Sequence, residues 1–427
     1  MSRGHGESWD VIVIGAGPAG TAAGAMLAEK GRRVLVLEKE KLPRYHIGES
    51  LIPFCWFPLQ RLGLLEKLDA ASFQVRKYSV QFIGLDGVRS KPFYFFEHSA
   101  HDSSRTWQVV RADFDRMLVD NAVEKGVELR TETAARDLIV EDGVVRGVVA
   151  ADRGGTPVEL RARVTVDASG RDIFSQSKYH WRKPDEILHK AAIWTYYRGA
   201  LRDPGIDEGA TTIAYVPEKG WFWYIPLPED LVSVGVVAEK SYLYKQSRDP
   251  ETIFDREVEL QPWIKAHLQA GRRIEGFKVT GDYCYRSQHC ATDGLVLVGD
   301  AFAFLDPVFS SGVFLALHSG VMAADAVDAA LREGDVSAGR FREYGRRLCR
   351  NVEAMRCLVY AFYDPEFSFA DFFQKYPQMR SNVTDCLMGD LDRDFDPMFR
   401  AMAEFARIPE PLPHGLPAAT AATRLPR

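Results

Sequence analysis

The stretch VIVIGAGPAGTAAGAMLA, residues 11–28, decides the fold of this chain. Its apolar, β-branched start at 11–14 predicts a short buried strand, and the glycine-rich turn leads into a predicted helix over 21–30. A strand, a tight turn and a helix in this order begin a βαβ unit with a parallel sheet. The stretch carries no charge, which would suit a membrane span, but its GAGPAG interruption argues against one.

The glycines of this turn have the spacing of a dinucleotide-binding loop. Gly15 permits the tight turn and Gly17 lets the backbone approach a pyrophosphate. Gly20 lets the helix pack closely on the strand, and Ala19 belongs to the same loop. A second predicted strand, RVLVL, ends at Glu38, whose carboxylate can accept hydrogen bonds from ribose hydroxyls. We therefore predict a dinucleotide site here; a glycine-rich turn without a ligand is the alternative.

A polar loop follows the second strand. Its residues Arg44, Glu49 and Ser50, in the segment RYHIGES, are predicted to fold back over the dinucleotide, and Lys39 is predicted to bind the cofactor as well. A solvated surface loop is the alternative interpretation for these residues.

Two later stretches indicate FAD rather than a nicotinamide cofactor. VTVDASGRD, residues 164–172, and GLVLVGDAFAFLDP, residues 294–307, both predict strands that return to the first sheet with polar ends at its carboxyl edge. With the glycine-rich loop they resemble the FAD domain of the aromatic-hydroxylase class of flavoproteins, over roughly the first 330 residues. The resemblance implies that Asp300 holds the ribityl chain and that Arg111, in VVRADFDRML, lies near the flavin. A helix-starting surface arginine is the alternative for Arg111.

The segment FLDPVFSSGVFLAL is predicted to open a helix at the cofactor. Pro307 ends any earlier helix, and Ser310, Ser311 and Gly312 leave free N–H groups at the start of the next one. Such a group of donors suits an anion. One interpretation is that these donors stabilise N1 and O2 of the flavin. The other is that the amides of Ser311 and Gly312 hold chloride or bromide against it. In both, Pro307, Gly312 and Val313 belong to the FAD site.

A strand rich in tryptophan adds to this pattern. GWFWYIPL, residues 220–227, places Trp221 and Trp223 two positions apart, so both rings face one side; core packing is the alternative interpretation. The W-x-W-x-I-P pattern, the F-x-D-P-x-x-S-S-G segment and the upstream GxGxxG loop together resemble the flavin-dependent halogenases. The resemblance implies an enzyme that uses FADH2, O2 and chloride or bromide, in which a flavin hydroperoxide oxidises the halide to hypohalous acid. The two tryptophans then keep the organic substrate away from the flavin.

The same resemblance implies further catalytic residues. Ser310 is one, and Lys77, in FQVRKYSVQF, is predicted at the start of a strand, where it directs hypohalous acid to an aromatic substrate. Burial beside the tryptophans would lower the pKa of this lysine; a solvated strand-end lysine is the alternative. Tryptophan halogenases carry a glutamate beside the serine, where this chain has Phe309. That departure favours an electron-rich phenol or pyrrole, either free or tethered to an acyl or peptidyl carrier protein.

The composition of the chain limits which partners and which cellular compartment are expected. The 54 basic and 59 acidic residues give a formal net charge of −5 without long runs of one sign, which argues against nucleic acid. The six cysteines have no CxxC spacing, and MSRGHGESWD lacks the apolar core of a signal peptide. We expect a cytoplasmic chain with no metal site and no membrane contact. With one dinucleotide fingerprint, a separate NAD(P)H-dependent flavin reductase is expected to supply FADH2.

The predicted fold is α/β: a Rossmann-like FAD-binding domain of the aromatic-hydroxylase type with an inserted mixed β-sheet layer and a helical C-terminal region. The domains are predicted as a split FAD domain at 1–75, 105–185 and 275–330, a substrate-side sheet at 76–104 and 186–274, and a helical region at 331–427 with a disordered tail from Pro409. The alternative function is a flavin monooxygenase or a prenyl reductase of the same fold. Either would use the same FAD residues but place its substrate directly against the flavin.

Overall fold

The computed structural model describes residues 8–281 and 283–418 of the chain. Two large sheets and a set of helices make up this part, which confirms the predicted α/β class. Its α-helices are α1 (Pro18–Glu29), α2 (Trp56–Leu62), α3 (Leu65–Asp69), α4 (Phe95–His98), α5 (Arg111–Glu124), α6 (Phe174–Tyr179), α7 (Lys240–Leu243), α8 (Pro250–Leu260), α9 (Pro262–Leu268), α10 (Gly312–Glu333), α11 (Arg342–Tyr363), α12 (Phe369–Lys375), α13 (Met379–Met388) and α14 (Asp396–Met402).

The first sheet contains the glycine-rich stretch. Its strands are β1 (Ser8–Ile14), β2 (Val34–Leu37), β7 (Glu128–Arg130), β8 (Thr133–Glu141), β9 (Val144–Asp152), β10 (Val158–Asp167), β19 (Ala291–Thr292) and β20 (Leu295–Leu297). β1 runs parallel to β2 and β10, and β20 runs parallel to β10, so both later stretches return to the sheet as predicted. Ile14 lies opposite both Leu37 and Asp167. The segments that follow these strands therefore meet at one edge.

Helices α1 and α10 pack closely on each other and on this sheet. A Cβ atom on Gly20 would lie 2.0 Å from the carbonyl oxygen of Gly15, and one on Gly320 would lie 2.4 Å from that of Ala19. Both glycines are therefore required by close backbone contact. α10 is long and apolar enough to cross a membrane, with a mean hydropathy of 1.4, but 72% of that window is buried inside the protein. Core packing accounts for its composition.

The second sheet is mixed. Its strands are β4 (Ser79–Ile83), β5 (Phe93–Tyr94), β12 (Lys190–Arg198), β13 (Thr211–Val216), β14 (Gly220–Leu227), β15 (Leu231–Glu239), β16 (Arg272–Arg273) and β17 (Lys278–Gly281). β14, the tryptophan strand, lies between β13 and β15. Because β17 pairs with β12, the sheet continues to Gly281, beyond the predicted limit at residue 274. Two smaller sheets consist of β3 (Gln74–Lys77) with β6 (Thr106–Val109), and of β11 (Arg182–Pro184) with β18 (Tyr285–Ser287) and β21 (Ala303–Phe304).

The C-terminal segment differs from the prediction. Residues 409–418 do not lie free; they run along β18 and the segment after it, with the Gly415 amide donating to the Gln288 carbonyl at 2.9 Å and the Ala418 amide donating to the Ala291 carbonyl at 2.8 Å. The expectation of disorder from Pro409 is wrong for this part, because backbone pairing rather than composition decides its order. Residues 419–427 lie outside the described part of the chain.

Candidate active site

A cavity of about 460 Å³ extends from the carboxyl edge of the first sheet to one face of the second. Most of the predicted site residues line it: Gly15, Gly17, Ala19, Glu38, Lys39, Arg44, Ser50, Arg111, Trp221, Trp223, Asp300, Pro307, Ser310, Gly312 and Val313. The remaining predicted residues, Gly20, Lys77 and Ser311, are buried behind its surface. The fold therefore gathers into one place residues from five distant parts of the sequence.

The end of the cavity beside β1 has the form of a dinucleotide site. The two oxygens of Glu38 accept hydrogen bonds from the backbone amides of Ala16 and Glu40, each at 3.0 Å, which fixes the carboxylate at the end of β2. Gly15 has φ +103°, and a Cβ there would lie 2.4 Å from the carbonyl oxygen of Ala168. Only glycine fits at this contact. The loop, the fixed acid and the open helix N-terminus fit the dinucleotide of FAD.

A buried arginine holds the polar loop over this cavity. The Arg111 side chain donates to both carboxylate oxygens of Asp115, at 2.9 and 3.1 Å, and its Nη1 donates to the Ile47 carbonyl at 2.6 Å. A Cβ on Gly48 would lie 2.7 Å from this guanidinium. Arg44 lies 3.6 Å from the carboxylates of both Asp115 and Glu38. The loop is thus tied to α5 and to Glu38.

The segment before α10 presents an open helix start to the cavity. The Asp306 side chain accepts from the Val308 amide at 3.2 Å, and Ser310 adopts a left-handed φ of 56° that turns the chain into α10. Such a conformation is uncommon for a residue other than glycine and is found most often at functional sites. A Cβ on Gly312 would meet no atom within 4 Å, so space lies directly in front of this residue. The Ser311 side chain, in contrast, is buried.

The tryptophans face the cavity as the strand pattern predicted. Trp221, Trp223 and Ile225 line it, whereas the alternate residues Phe222 and Tyr224 pack in the core beneath α8 and α9. The Trp221 and Trp223 ring centroids are 6.2 Å apart. We refer to these rings, with Trp194, as the indole wall, because the Trp194 centroid lies another 6.2 Å from that of Trp223. All three side chains are at least 92% buried.

The position of the Trp223 ring is set by a glycine and by a buried acid. A Cβ on Gly235, which lies opposite on β15, would come within 2.3 Å of the indole. The indole N–H donates to Ser233 Oγ at 3.1 Å, and Ser233 donates to Glu49 at 3.2 Å. Glu49 also accepts from the Tyr196 hydroxyl at 2.6 Å. Burial raises the pKa of Glu49, and the hydrogen bonds from Tyr196 and Ser233 counter part of that rise.

Trp194 was missed by the sequence analysis, although it belongs to the same wall. Its indole N–H donates to the Tyr45 hydroxyl at 2.8 Å, which lies 2.9 Å from the hydroxyl of Tyr196. The segment KAAIWTYYR of β12 carries no motif that marks this tryptophan. Its place beside Trp223 follows only from the pairing of β12 with β15, in which Trp194 lies opposite Gly235.

Lys77 lies just outside the cavity. It is the last residue of β3, opposite Thr106, and not the start of the next strand as predicted, because β3 and β4 belong to different sheets. Its Nζ donates to Ser50 Oγ at 2.9 Å and to the Leu51 carbonyl at 3.0 Å, and the side chain is 2% exposed. Burial lowers the pKa of Lys77 to about 7, so the amine and the ammonium are both accessible near neutral pH.

The side chain beside Ser310 is apolar and buried. The Phe309 ring meets the Phe362 ring of α11 edge-on, with centroids 5.6 Å apart, and is 5% exposed. A carboxylate at this place would enter a hydrophobic contact between α11 and the loop before α10.

Within residues 8–281 and 283–418, no group of three His, Cys, Asp or Glu side chains is placed to hold a metal ion.

The fold and the cavity define an FAD-dependent oxidoreductase, and three indole rings line the cavity. The family model described as tryptophan halogenase matches residues 10–104 and 95–382. A 1H-pyrrole-2-carbonyl (peptidyl-carrier protein) brominase of Pseudoalteromonas luteoviolacea is 37% identical over 333 residues, which cover 77% of this chain and 79% of the brominase. The corresponding chlorinase of Pseudomonas fluorescens is 30% identical over 408 residues, or 90% of each chain.

A solved structure agrees with these matches. The flavin-dependent brominase Bmp2 is similar with a TM-score of 0.85 and 31% identity, covering 93% of this chain and 98% of its own. The chain belongs to the flavin-dependent halogenases. It is a halogenating flavoenzyme that uses FAD and a halide, which confirms the predicted family, enzyme class and cofactors. The roles of individual residues stay predictions.

Proposed function

We propose that this enzyme halogenates the pyrrole ring of a pyrrole-2-carbonyl group carried as a thioester on a peptidyl carrier protein. The observation that carries the proposal is the similarity to two enzymes named for that substrate, at 37% and 30% identity over 79% and 90% of their lengths. One of them is a brominase and the other a chlorinase, so chloride and bromide are both candidates.

The site supports an electron-rich ring. The buried Phe309 offers no carboxylate beside Ser310 that could remove a proton from a less reactive carbon. A pyrrole needs little help of this kind, because its nitrogen donates electron density to the ring. A phenol meets the same requirement, and it is the second substrate class to test.

The roles proposed for the residues follow their positions. Reduced FAD, when bound, would supply the chemistry that activates O2 and oxidises the halide to hypohalous acid. The backbone amides of Ser311 and Gly312 would hold the halide at the start of α10, where the N–H groups favour an anion. The indole wall would keep the pyrrole out of the cavity. Lys77, held behind Ser50, would either hydrogen-bond the hypohalous acid or react with it to form a chloramine. In both cases it would direct the halogen to the ring.

Two partners are part of the proposal. An NAD(P)H-dependent flavin reductase would deliver FADH2, since the sequence offers one dinucleotide fingerprint. The carrier protein would present the substrate. We also propose a cytoplasmic location. All six cysteines lie in the described part of the chain and are free thiols, in keeping with that location.

The test combines the protein, FAD, a flavin reductase, NADH and either bromide or chloride with one of three substrates: a pyrrolyl-carrier protein, free pyrrole-2-carboxylate or a simple phenol. Intact-protein mass spectrometry is expected to show halogen isotope patterns on the pyrrolyl-carrier protein. Halogenation of the phenol alone would contradict the proposed substrate. A gain of one oxygen atom in place of the halogen would instead indicate a monooxygenase.

A further inference from the structure

The indole of Trp221 is held by a residue of the C-terminal helical region. Its Nε1–H donates to the Tyr363 hydroxyl at 2.7 Å. Tyr363 is the last residue of α11, and Trp221 is 1% exposed. A buried indole N–H needs an acceptor, and an acceptor on a different element fixes the direction in which the ring plane points.

The same hydroxyl reaches the loop that precedes α10. Asp306 lies close enough to the Tyr363 hydroxyl for the tyrosine to lower its pKa, and its carboxylate accepts from the Val308 amide at 3.2 Å and from the Tyr283 hydroxyl at 3.3 Å. Asp306 is 1% exposed. Burial raises the pKa of Asp306 to about 6, and the Tyr363 contact opposes that rise. Tyr363 therefore stands between a ring of the indole wall and the segment that leads to Ser310 and Gly312.

A third contact fixes the tyrosine ring itself. The Lys190 ammonium lies 3.9 Å from the centroid of the Tyr363 ring, within the range of a cation–π contact. Lys190 is in turn paired with Glu239 at 2.5 Å across β12 and β15, and it is 4% exposed. The ring is held on its face by a cation and at its hydroxyl by the Trp221 indole, which restricts the orientation of the side chain.

We propose that Tyr363 is a positioning residue for halogenation: it ties the Trp221 indole to α11, next to Asp306 in the loop before α10, so that the wall and the proposed halide site keep one relative geometry. Tyr363 acts through Trp221 and does not line the cavity. Without its hydroxyl, the Trp221 N–H loses its acceptor and the ring can turn. Oxidant formed in the cavity would then be lost to solvent instead of reaching the aromatic substrate.

The direct test is Tyr363→Phe, which keeps the ring over Lys190 and removes the hydroxyl. FAD affinity and the rate of oxidation of reduced flavin are expected to stay at wild-type values. The amount of halogenated product per reduced flavin oxidised is expected to fall several-fold. The missing oxidant should appear as hydrogen peroxide or as hypohalous acid caught by a chemical trap. The assay uses an aromatic that the wild-type protein is seen to halogenate, so its outcome is independent of the proposed pyrrole substrate.

Tyr360→Phe on the same helix is the matched control. Tyr360 also donates to a carboxylate, that of Asp185 at 2.9 Å, but it does not contact the indole wall. It should change stability as much as Tyr363→Phe and leave the product yield per flavin unchanged. An equal loss of yield in both variants would mean that α11 is merely loosened, and it would overturn the proposal.

A double-mutant cycle separates positioning from a general structural role. Trp221→Phe removes the same hydrogen bond from the other side, so it should lower the yield by itself. In that background, Tyr363→Phe should cause no further loss, because its partner is already gone. Additive losses would show that Tyr363 acts independently of Trp221 and would contradict the inference, as would a Tyr363→Phe variant with wild-type yield.

Discussion

The Nζ of Lys77 lies 2.9 Å from the hydroxyl of Ser50, and only Ser50 faces the cavity. Ser50 also lies 2.8 Å from Thr211, another cavity residue. One hydroxyl therefore separates the buried amine from the space predicted for the flavin. A small polar oxidant can pass such a boundary more easily than an aromatic ring. This arrangement fits the role proposed for Lys77 in halogen transfer, in which it does not contact the flavin.

Lys77→Met is expected to lower halogenation by about two to four orders of magnitude, the loss typical of removing a side chain that takes part in the chemistry. Methionine fills nearly the same volume and avoids the cavity that alanine would leave. FAD binding, followed by quenching of flavin fluorescence, and hydrogen peroxide release should persist. The matched control is Lys178→Met, which changes a partly exposed lysine paired with Asp137 at 3.0 Å. Halogenation by Lys77→Met at the wild-type rate would remove Lys77 from the mechanism.

The stability of the protein should depend on pH through Lys77. Its pKa is lowered to about 7 in the folded protein from an ordinary value of 10.5, so between these values the unfolded chain binds more protons than the folded one. The free energy of unfolding therefore gains a contribution that rises with pH, by at most about 1.4 kcal/mol per pH unit. Lys77→Met lacks this contribution. Urea unfolding of the FAD-loaded proteins at several pH values from 7.5 to 9.5, a range of about two units within the window, should show the advantage of the variant shrinking as pH rises. A constant difference would refute a lowered pKa.

The rings of the indole wall can be replaced by smaller aromatic rings without leaving a large cavity in the core. Trp221→Phe together with Trp223→Phe should cost less stability than the ~3–5 kcal/mol of truncating such a ring to alanine. Halogenated product per flavin oxidised should decrease several-fold, while flavin oxidation continues. If the wall excludes the substrate, some hydroxylated product should also appear in mass spectra. Phe222→Leu, on the opposite face of β14, is the control and should leave the product ratio unchanged.

Substitution by alanine should have different effects at two glycines of α10, one on the halide requirement and one on stability. A Cβ on Gly312 meets no atom within 4 Å, so Gly312→Ala should fold normally and place a methyl group in front of the proposed halide site. The halide concentration for half-maximal rate should rise about tenfold, equivalent to about 1.4 kcal/mol. Weakened FAD binding with an unchanged halide requirement would favour the alternative role at flavin N1 and O2. Gly320→Ala should instead destabilise the fold, since its Cβ would lie 2.4 Å from a backbone oxygen.

The parts of the fold that sequence could predict are those set by local rules. The strand, turn and helix after Val11, the acid at the end of β2 and the return of two later strands all depend on short-range pattern and on strand ends. The common face of Trp221 and Trp223 follows from the two-residue period of a strand.

The features that sequence could not predict depend on pairing between distant segments. Lys77 was assigned to the wrong strand because β3 ends where the chain changes sheets, and alternation continues across that break. Trp194 joins the wall through the register of β12 with β15. Tyr363 reaches Trp221 from a helix 142 positions along the chain. No periodicity or motif connects these residues, so only the tertiary structure shows which neighbours each of them has.

The paired segment at 409–418 has a practical consequence for handling the enzyme. The buried guanidinium of Arg286 donates to the Leu412 carbonyl at 2.9 Å and to that of His414, and Arg286 lies on β18 next to β21, whose Phe304 lines the cavity. Trimming the chain after residue 408 would leave that cation short of acceptors beside the flavin pocket, at a cost of about 1–3 kcal/mol for each buried donor left unpaired. Anyone shortening the protein for crystallisation, or fusing another protein to its C-terminus, should therefore keep this stretch intact and judge the result by flavin retention on heating.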